Sequence, residues 1–539
     1  MTRDAASSGQ AAVSGRPWAA VALLSASLLM IGLDNTILNV TLPTLQRELD
    51  ASTSELQWMV DAYMLVFAGL LLTAGNLGDR VGRRRVFLAG LVVFGAGSAL
   101  AAIASTPEQL IAFRAVMGVG GALIMPSTLS IITSMFTGPR RAKAIAMWTA
   151  VAGIGVALGP VVGGWLLERF WWGSIFLVNV PIAVVVLLAG ARLIPESRDT
   201  HAGRADLPGV GLSIAGLLAL VYGIIEAPTH GWTGTRTLTA FALAALTLTA
   251  FVLWELRSSH PVLELRLFRN PRFTAASLTI ALAFFALFGA LFVMTQHLQL
   301  VLGYSAFAAG LRTVPAAAAL IVGAATSTLA VSRLGTKVTV TAGMLLAAAG
   351  LAVAATATTT TDYEPVLVTL VLCGLGIGLA MAPATDSVMG SLPVRKAGVG
   401  SAMNDTARLV GGAFGVAVFG TTVSQVYAPR VADAAGALPG PARALAEDSL
   451  QAAVRVAAQL PEAQGAELLA AARDAYTEAL QRSGLVGAGV ATLAALVALV
   501  LLPARASVAS GAGSDEEPSA DALEEDPTID GSSAPLATG

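Results

Sequence analysis

The chain has 539 residues, of which 55% are hydrophobic and only 12% charged, and its formal net charge is −2. This composition excludes a soluble globular protein, which needs far more charge to cover its surface, and it predicts a polytopic membrane protein. The single cysteine, Cys373, excludes an intramolecular disulfide.

Apolar runs long enough to span a bilayer recur along the chain. A spanning helix needs about 20 apolar residues. The sequence contains fourteen such runs, at 18–40, 56–75, 86–105, 109–132, 142–166, 173–194, 207–226, 236–256, 273–297, 306–329, 338–357, 364–388, 401–424 and 485–503. It therefore predicts an all-α polytopic membrane protein with 14 transmembrane helices and both termini on one side.

Arginine and lysine are distributed unequally between the two sets of loops. The short loops on one side carry only Arg47, Arg169 and Arg236, whereas most other basic residues follow the even-numbered spans or flank the termini. The positive-inside rule then predicts that both termini are cytoplasmic. The termini form an N-terminal tail over residues 1–16 and a disordered acidic tail over 504–539. The segment 425–483 is predicted to be an extracellular loop with amphipathic helices.

Ionisable side chains occur inside several of these apolar runs. Asp34 lies in LLMIGLDNTILNV, residues 28–40, where a charge costs roughly 2.5–3.5 kcal/mol on insertion scales. It follows Trp18 by about 24 Å of helix, which places it in the outer part of the bilayer. Arg114, near the start of the fourth span, is expected at a similar depth. The other intramembrane acids that we consider are Asp61, Glu226 and Asp386, while Asp405 and Arg408 are spaced to pair on one helix face.

The sequence offers no motif for nucleotide binding or for enzyme chemistry. None of the three lysines follows a glycine-rich loop, and neither an HExxH motif nor a paired-cysteine site is present. We therefore expect no enzyme activity, no metal and no cofactor. Active transport by this chain would draw on an ion gradient.

The loop between spans two and three reads GNLGDRVGRRRVFLAG, residues 75–90. It resembles the signature loop of the major facilitator superfamily in the order and spacing of Gly75, Leu77, Gly78, Asp79, Arg80, Gly82, Arg83 and Arg84. A degenerate counterpart, VSRLGTKV at 331–338, is typical of two duplicated halves. Glycine permits the tight turn, a helix N-terminus favours the aspartate, and the arginines are suited to bind helix ends of the opposite half. A basic loop that only sets the topology is the alternative.

Further motifs resemble the fourteen-spanner drug:proton antiporter family of that superfamily. They are LDNTILNVTLPTLQREL with QWMVDAYML, and FRAVMGVGGALIMPSTLSII, which contains Arg114. The fifth span, AVAGIGVALGPVVGGWLLE, resembles the helix motif of exporters. Its small or helix-distorting residues are Gly155, Gly159, Pro160, Gly163 and Gly164, and they favour close packing.

The resemblance implies a major facilitator fold with two six-helix bundles, over residues 17–194 and 273–503, plus two inserted central helices over 207–256. It implies a proton-driven exporter of lipophilic, often cationic, drugs in the cell membrane, whose partners are small substrates, protons and lipid rather than nucleic acid. Such a protein functions as a monomer by alternating access. A dedicated exporter of one metabolite or antibiotic, and an uptake permease, remain alternatives.

Arg114 matches the family's basic residue for proton coupling, and Asp34 is expected at a similar depth. We hypothesise that Asp34 exchanges a proton for a cationic substrate, while Arg114 modulates its proton affinity. Two alternatives stay open: a static ion pair that only locks two helices, and an Asp34 that merely lies at the interface.

The ninth span carries an aromatic stripe that the resemblance places in the central cavity. Phe284, Phe288 and Phe292 recur every fourth residue, and Met294 and Gln296 follow. Such a stripe is suited to a flat lipophilic cation, although simple packing against lipid or protein explains it too. His297 is expected at the outer rim.

Overall fold

The structure is a computed structural model that describes residues 16–49, 51, 53–198, 206–258, 261, 263, 265–359, 363–436 and 438–503. Within these residues the chain forms sixteen α-helices, two short 3-10 turns and one π turn, without a strand. Residues 1–15 of the predicted N-terminal tail and the predicted acidic tail, 504–539, lie outside this range.

The helices follow the predicted apolar runs in chain order. The first seven are α1 (Arg16–Glu48), α2 (Thr53–Val81), α3 (Arg83–Ala102), α4 (Pro107–Met135), α5 (Gly138–Arg169), α6 (Ser174–Leu177) and α7 (Asn179–Leu193). Two more form a hairpin, α8 (Leu207–His230) and α9 (Thr235–Glu255). The remainder are α10 (Pro271–Gln296), α11 (Ala306–Ala354), α12 (Glu364–Gly390), α13 (Ala397–Val431), α14 (Gly440–Asp448), α15 (Leu450–Ala457) and α16 (Glu462–Leu501).

Local sequence determines where several of these helices begin. Thr106 caps α4 by accepting a hydrogen bond from the Gln109 N–H, and Pro107 follows at the first helical position. Asn270 caps α10 in the same way, again with a proline next in sequence. Each cap satisfies a backbone donor that a helix start leaves free, and each proline has no such donor to lose.

Two helices extend well beyond the predicted spans. α11 covers both the tenth and the eleventh span, which meet at Gly335, where φ is 82° and the conformation is not helical. α16 begins at Glu462 rather than at 485, and its 40 residues are about 60 Å long. The predicted loop 425–483 is therefore largely helical, because α13 runs to Val431 and α14, α15 and the start of α16 occupy most of the rest.

Most of these helices are suited to a membrane. By length and composition, twelve helical runs in the described residues can cross one, when α6 and α7 count as one run and α11 counts once. The chain is accordingly an all-helical, multi-pass membrane protein.

The helices pack as two groups that contact each other. In the first group α1 packs against α5 and α7, while α4 packs against α2 and α3. In the second group α10 packs against α13 and α16, and α11 against α12 and α16. The groups meet where α2 and α4 contact α13 and where α5 contacts α11 and α12. The α8–α9 hairpin joins them through contacts of α8 with α2 and α13.

Candidate functional site

The structure brings Asp34 of α1 and Arg114 of α4 together in the first group of helices. The Nη1 atom of Arg114 donates to Oδ2 of Asp34, and each residue is only 1% exposed. Nε of Arg114 donates to the Met59 carbonyl at 3.0 Å, and its guanidinium lies 4.4 Å from the centre of the Tyr63 ring. A buried ion pair of this kind needs such further contacts, because both charges have lost their water.

Asn179 completes the surroundings of Asp34, and sequence reasoning missed it. Its Nδ2 atom donates to Oδ1 of Asp34 at 3.0 Å and to Oγ of Ser98 at 3.1 Å. The Ser98 hydroxyl in turn donates to the Phe176 carbonyl at 2.8 Å. Asp34 is thus connected to α3 and α7 as well as to α4. The only signal in the sequence was an amide within the apolar run SIFLVNVPIAVVV.

The glycines of α5 allow it to lie close to α1 at the level of Asp34. A Cβ atom on Gly155 would lie 3.0 Å from the Leu29 carbonyl, and one on Gly163 would lie 3.0 Å from a side-chain carbon of Ile37. A Cβ atom on Gly159 would overlap the Thr36 side chain. Gly164 instead faces α11, and Pro160 lies within α5. The smooth face of α5 therefore sets the position of the helix that carries Asp34.

The signature loop connects the two groups of helices through Asp79. Its carboxylate accepts hydrogen bonds from the N–H groups of Gly398 and Val399, at 2.9 and 3.2 Å, so it caps the start of α13. Arg83 donates to Oδ1 of Asp79 at 2.7 and 2.9 Å and to the Val394 carbonyl at 2.7 Å. The helix N-terminus that favours Asp79 thus belongs to the opposite group, since Asp79 itself lies near the end of α2.

Other residues of this loop shape the turn and its contacts. A Cβ atom on Gly75 would lie 2.6 Å from that of Ala402, so glycine permits the contact between α2 and α13. Gly82 has φ of +126°, which turns the chain between α2 and α3. The Arg84 N–H donates to Glu196 at 3.1 Å. Gly78 is less constrained, because a Cβ atom there would meet only the Ser127 hydroxyl, at 3.8 Å.

Arg80 of the same loop lies near the start of α8, where Asp206 is the N-cap. Burial raises the pKa of Asp206. The hydrogen bonds to its carboxylate and the charge of Arg80 lower the pKa by more than burial raises it, so the pKa lies below its ordinary value. The donors are the Gly209 N–H at 2.9 Å, the Trp254 Nε1 at 2.8 Å and the Ser258 hydroxyl at 2.9 Å. The α8–α9 hairpin is therefore held next to the signature loop.

Two of the remaining predicted acids, Asp386 and Glu226, have partners away from the Asp34 site. Asp386 of α12 accepts from Nε of Arg141 in α5 at 2.7 Å, which is a contact between the two groups. Glu226 lies 2.9 Å from Nδ1 of His230 at the end of α8. Asp61 is half-buried in α2 and has polar contacts of its own.

The predicted pair of Asp405 and Arg408 does not form an ion pair. Among the ion pairs of the described residues, none joins these two side chains within 4.0 Å. The guanidinium of Arg408 instead lies against the Trp148 and Phe284 rings, with centroid distances of 4.7 and 4.9 Å. The helical spacing does place the two residues on one face of α13. The orientation of the Arg408 side chain, however, is set by its contacts with α5 and α10.

The aromatic stripe of α10 faces α13 only in part. The rings of Phe284 and Phe288 lie 5.6 Å apart, and a Cβ atom on Gly412 of α13 would lie 2.7 Å from Phe288. Phe292 is 37% exposed, whereas Met294 is 2% exposed within the core. The structure therefore does not place all five predicted cavity residues on one surface; Gln296, the last residue of α10, is half-buried.

His297 is not at a rim, contrary to the prediction. It is 1% exposed and begins a π turn, His297–Val301, that follows α10 directly. This wider turn continues the helix past its predicted end and keeps the imidazole inside the protein.

An open polar cleft of about 490 Å³ lies elsewhere, between the ends of α11 and α13 and the first half of α16. Its lining includes Thr359, Arg430, Asp474, Glu478 and Arg482. Glu478 pairs with both arginines, and Asp474 accepts from the Thr359 hydroxyl at 2.9 Å. The cleft contains none of the predicted site residues.

Comparisons with known proteins agree with this arrangement. The sequence profile of the Major Facilitator Superfamily matches residues 24–416. The chain is 37% identical over 494 residues to the multidrug efflux pump LfrA of Mycolicibacterium smegmatis. This alignment covers 92% of this chain and 96% of that pump. It is 33% identical over 492 residues to the tetracenomycin C resistance and export protein of Streptomyces glaucescens, covering 90% of this chain and 91% of that protein.

A solved structure shows the same fold. The human organic anion transporter MFSD10 superposes with a TM-score of 0.58 at 14% sequence identity, covering 89% of this chain and 99% of that one. At this level of identity the similarity concerns the fold alone.

Proposed function

The chain belongs to the major facilitator superfamily, and on this basis we propose that it is a proton-driven exporter of lipophilic, often cationic, drugs. Its similarity to multidrug and antibiotic efflux proteins supports drug export across the cell membrane. The buried ion pair of Asp34 and Arg114 is the main support for proton coupling. Ionisable groups inside a membrane are costly, and they are usually retained for a function.

In this mechanism the carboxylate of Asp34 alternates between two surroundings. Next to Arg114 and Asn179 the charged form is favoured, because an opposite charge and a donated hydrogen bond both stabilise it. When the helices move and these contacts loosen, desolvation favours the protonated form, and Asp34 takes up a proton. A cationic substrate that reaches Asp34 displaces the proton, so the two movements are coupled.

Alternating access then uses the contact between α2 and α13 as its cytoplasmic gate. The cap by Asp79 and the Arg83 bond to Val394 support this proposal, because they join the end of α2 and the start of α3 to the chain around the start of α13. Release of the cap would open it, while α5 packs closely against α1 as the groups rock.

We further propose fourteen spans with both termini in the cytoplasm. α11 has 49 residues, about 73 Å of helix, and a hydrocarbon core of about 30 Å accommodates it only as two spans that meet at Gly335. α5, with 32 residues, supplies the fourteenth. The α8–α9 hairpin is the inserted pair, and one chain suffices for transport, because both groups of helices belong to it.

Everted membrane vesicles with an acidic interior test the coupling. Addition of tetraphenylphosphonium should dissipate the pH gradient in vesicles that contain the wild type, because each cation that enters releases a proton. We expect Asp34→Asn to abolish this signal and Asp34→Glu to retain part of it.

Glu447→Gln is the matched control, because this carboxylate lies on α14, away from Asp34, and pairs with Arg443 four residues earlier. The proposal is wrong if Asp34→Asn retains the wild-type signal. Gradient dissipation by one compound among many cations would instead identify a dedicated exporter.

A further inference from the structure

One segment of α13, residues 401–408, contains an unusual number of buried polar atoms without a hydrogen-bond partner among the described residues. They are Ser401 Oγ, Asp405 Oδ2, Thr406 Oγ1 and Arg408 Nε. Buried polar atoms in proteins nearly always have a partner. Four such atoms within eight residues therefore indicate that this buried segment takes hydrogen-bond partners, water or a ligand, that the described side chains do not supply.

The segment lies where helices of both groups meet. Arg408 contacts the ring of Trp148 from α5 and the ring of Phe284 from α10. Trp148 is fully buried, and its Nε1 donates to the Thr128 hydroxyl of α4 at 3.1 Å. Two aromatic walls, one from each group, thus flank the guanidinium. Contacts of this type leave the N–H groups of arginine available as donors.

The neighbouring amide orients Asp405. Asn404 donates to Oδ1 of Asp405 at 3.3 Å and accepts from the Thr385 hydroxyl of α12 at 3.2 Å. One carboxylate oxygen is therefore engaged, and Oδ2 is the free acceptor. Because Asp405 and Arg408 are three residues apart on one helix face, a free acceptor and a free donor lie near each other.

We propose that Asp405 and Arg408, between the Trp148 and Phe284 rings, form a subsite for a flat, uncharged aromatic group that carries a hydrogen-bond donor beside an acceptor. A lactam or a hydroxy-ketone has this chemistry. Its donor binds Oδ2 of Asp405, its carbonyl accepts from Nε of Arg408, and its rings pack against the half-buried Phe284 ring, since Trp148 is fully buried. This subsite rests on the proposed export function and names a class of substrate that the Asp34 site does not select.

The charges of the subsite favour an uncharged group over a permanent cation. The carboxylate and guanidinium have opposite charges that sum to zero. A quaternary cation without an N–H group gives Asp405 no hydrogen bond and leaves the Arg408 donor unsatisfied. Leaving such buried groups unpaired weakens binding.

Three probes with one ring system separate these interactions. Phenanthridin-6(5H)-one has adjacent N–H and C=O groups, its N-methyl derivative lacks the donor, and 5-methylphenanthridinium is a permanent cation without either group. Binding of each to the full chain in lipid nanodiscs is measured by isothermal titration calorimetry. We expect the wild type to bind the lactam about tenfold more tightly than its N-methyl derivative.

Variants assign this preference to the subsite. Arg408→Gln and Asp405→Val should reduce the preference to about onefold, whereas Asp405→Asn, which keeps a carbonyl acceptor, should retain part of it. Arg430→Gln is the matched control, because this arginine lies on the same helix, is exposed and pairs with Glu478. Arg408→Lys keeps the charge, and its melting temperature shows whether loss of binding reflects misfolding.

Two results would overturn the subsite. In the first, the wild type binds the lactam and its N-methyl derivative equally. In the second, folded Arg408 variants lose affinity for all three probes to the same extent, which a structural role of Arg408 would cause. Ethidium efflux from cells, measured in parallel, reports on the export proposal separately: its absence in the wild type contradicts export, whereas the calorimetric preference addresses the subsite alone.

Discussion

Asn179 binds the oxygen of Asp34 that Arg114 does not reach, and this makes it the most informative single residue near the ion pair. We expect Asn179→Leu to reduce proton-coupled efflux about tenfold or more, because a hydrogen bond to a charged group contributes roughly 1.5–3 kcal/mol. Efflux of a fluorescent cation, measured across external pH values, checks this.

Ser98→Ala is the control, since it removes a neighbour of Asn179 but leaves the bond to Asp34. We expect it to change efflux much less. A wild-type rate and pH profile in Asn179→Leu would show that the bond to Asp34 has no part in transport.

Sequence could reveal the charged residues of the site but not their neighbours. Asp34 and Arg114 are conspicuous because a charge in an apolar run is costly and therefore rare. Asn179 is neutral and lies at the start of a helix, where an amide is ordinary. The direction of Arg408 was also invisible, because the Trp148 ring that it contacts lies on a helix 260 positions earlier in the chain.

At the scale of elements, the cap of α8 gives a prediction with a defined pH dependence. Asp206→Asn should destabilise the protein by about 1 kcal/mol at neutral pH, because an amide still caps the helix but accepts weaker hydrogen bonds from Trp254 and Ser258 than a charged carboxylate does. The folded pKa of Asp206 lies below its unfolded value of about 3.9. Its contribution is therefore present above that pH and is lost as the pH falls through the folded pKa.

Thermal unfolding in detergent between pH 7 and pH 3.5 checks this expectation. The difference in melting temperature between the wild type and Asp206→Asn should shrink at the acidic end. Thr106→Ala removes a cap that does not titrate, so its difference should stay constant. A pH-independent difference for Asp206→Asn would contradict the role of the carboxylate.

Hydropathy predicted the middle of most helices well and their ends poorly. A membrane-embedded segment is recognised by its apolar run, but an Ala-rich and Leu-rich stretch such as 462–484 continues as helix beyond that run because its residues favour helix. The junction of two helices at Gly335 was not predicted either. Composition does not reveal that one particular glycine has a non-helical φ.

At the scale of the whole molecule, the contact between α2 and α13 depends on two glycines. A Cβ atom on Gly75 would lie 2.5 Å from the Gly398 carbonyl, so a larger side chain must push the two helices apart. We expect Gly75→Val to open this end of the protein. Ala402→Cys, at a fully buried position, should then react at least tenfold faster with a membrane-impermeant maleimide applied from the cytoplasmic side.

The comparison uses a background in which Cys373 is replaced by serine. Gly489→Val is the control, because a Cβ atom there meets nothing within 4 Å. Equal labelling in Gly75→Val and the control would contradict the prediction that a larger side chain at residue 75 opens this end of the protein.

The arrangement of the two helix groups could be anticipated only through the family resemblance. Hydropathy orders the spans but does not say which ones touch, and the partner of Asp79 lies 319 residues away. The resemblance supplied the expectation that the loop binds the opposite half. The structure identifies the atoms involved. It also shows that the helix start bound by Asp79 is that of α13 and not that of α3.

The cap by Asp79 also has a kinetic consequence. If this end opens in every transport cycle, the carboxylate must leave the N–H groups of Gly398 and Val399 and later return to them. The strength of that contact then sets how long the transporter dwells in the closed state. A stronger contact slows turnover, and a weaker one permits uncoupled leakage of protons. A change in this cap that raises the transport rate is therefore expected to loosen the coupling.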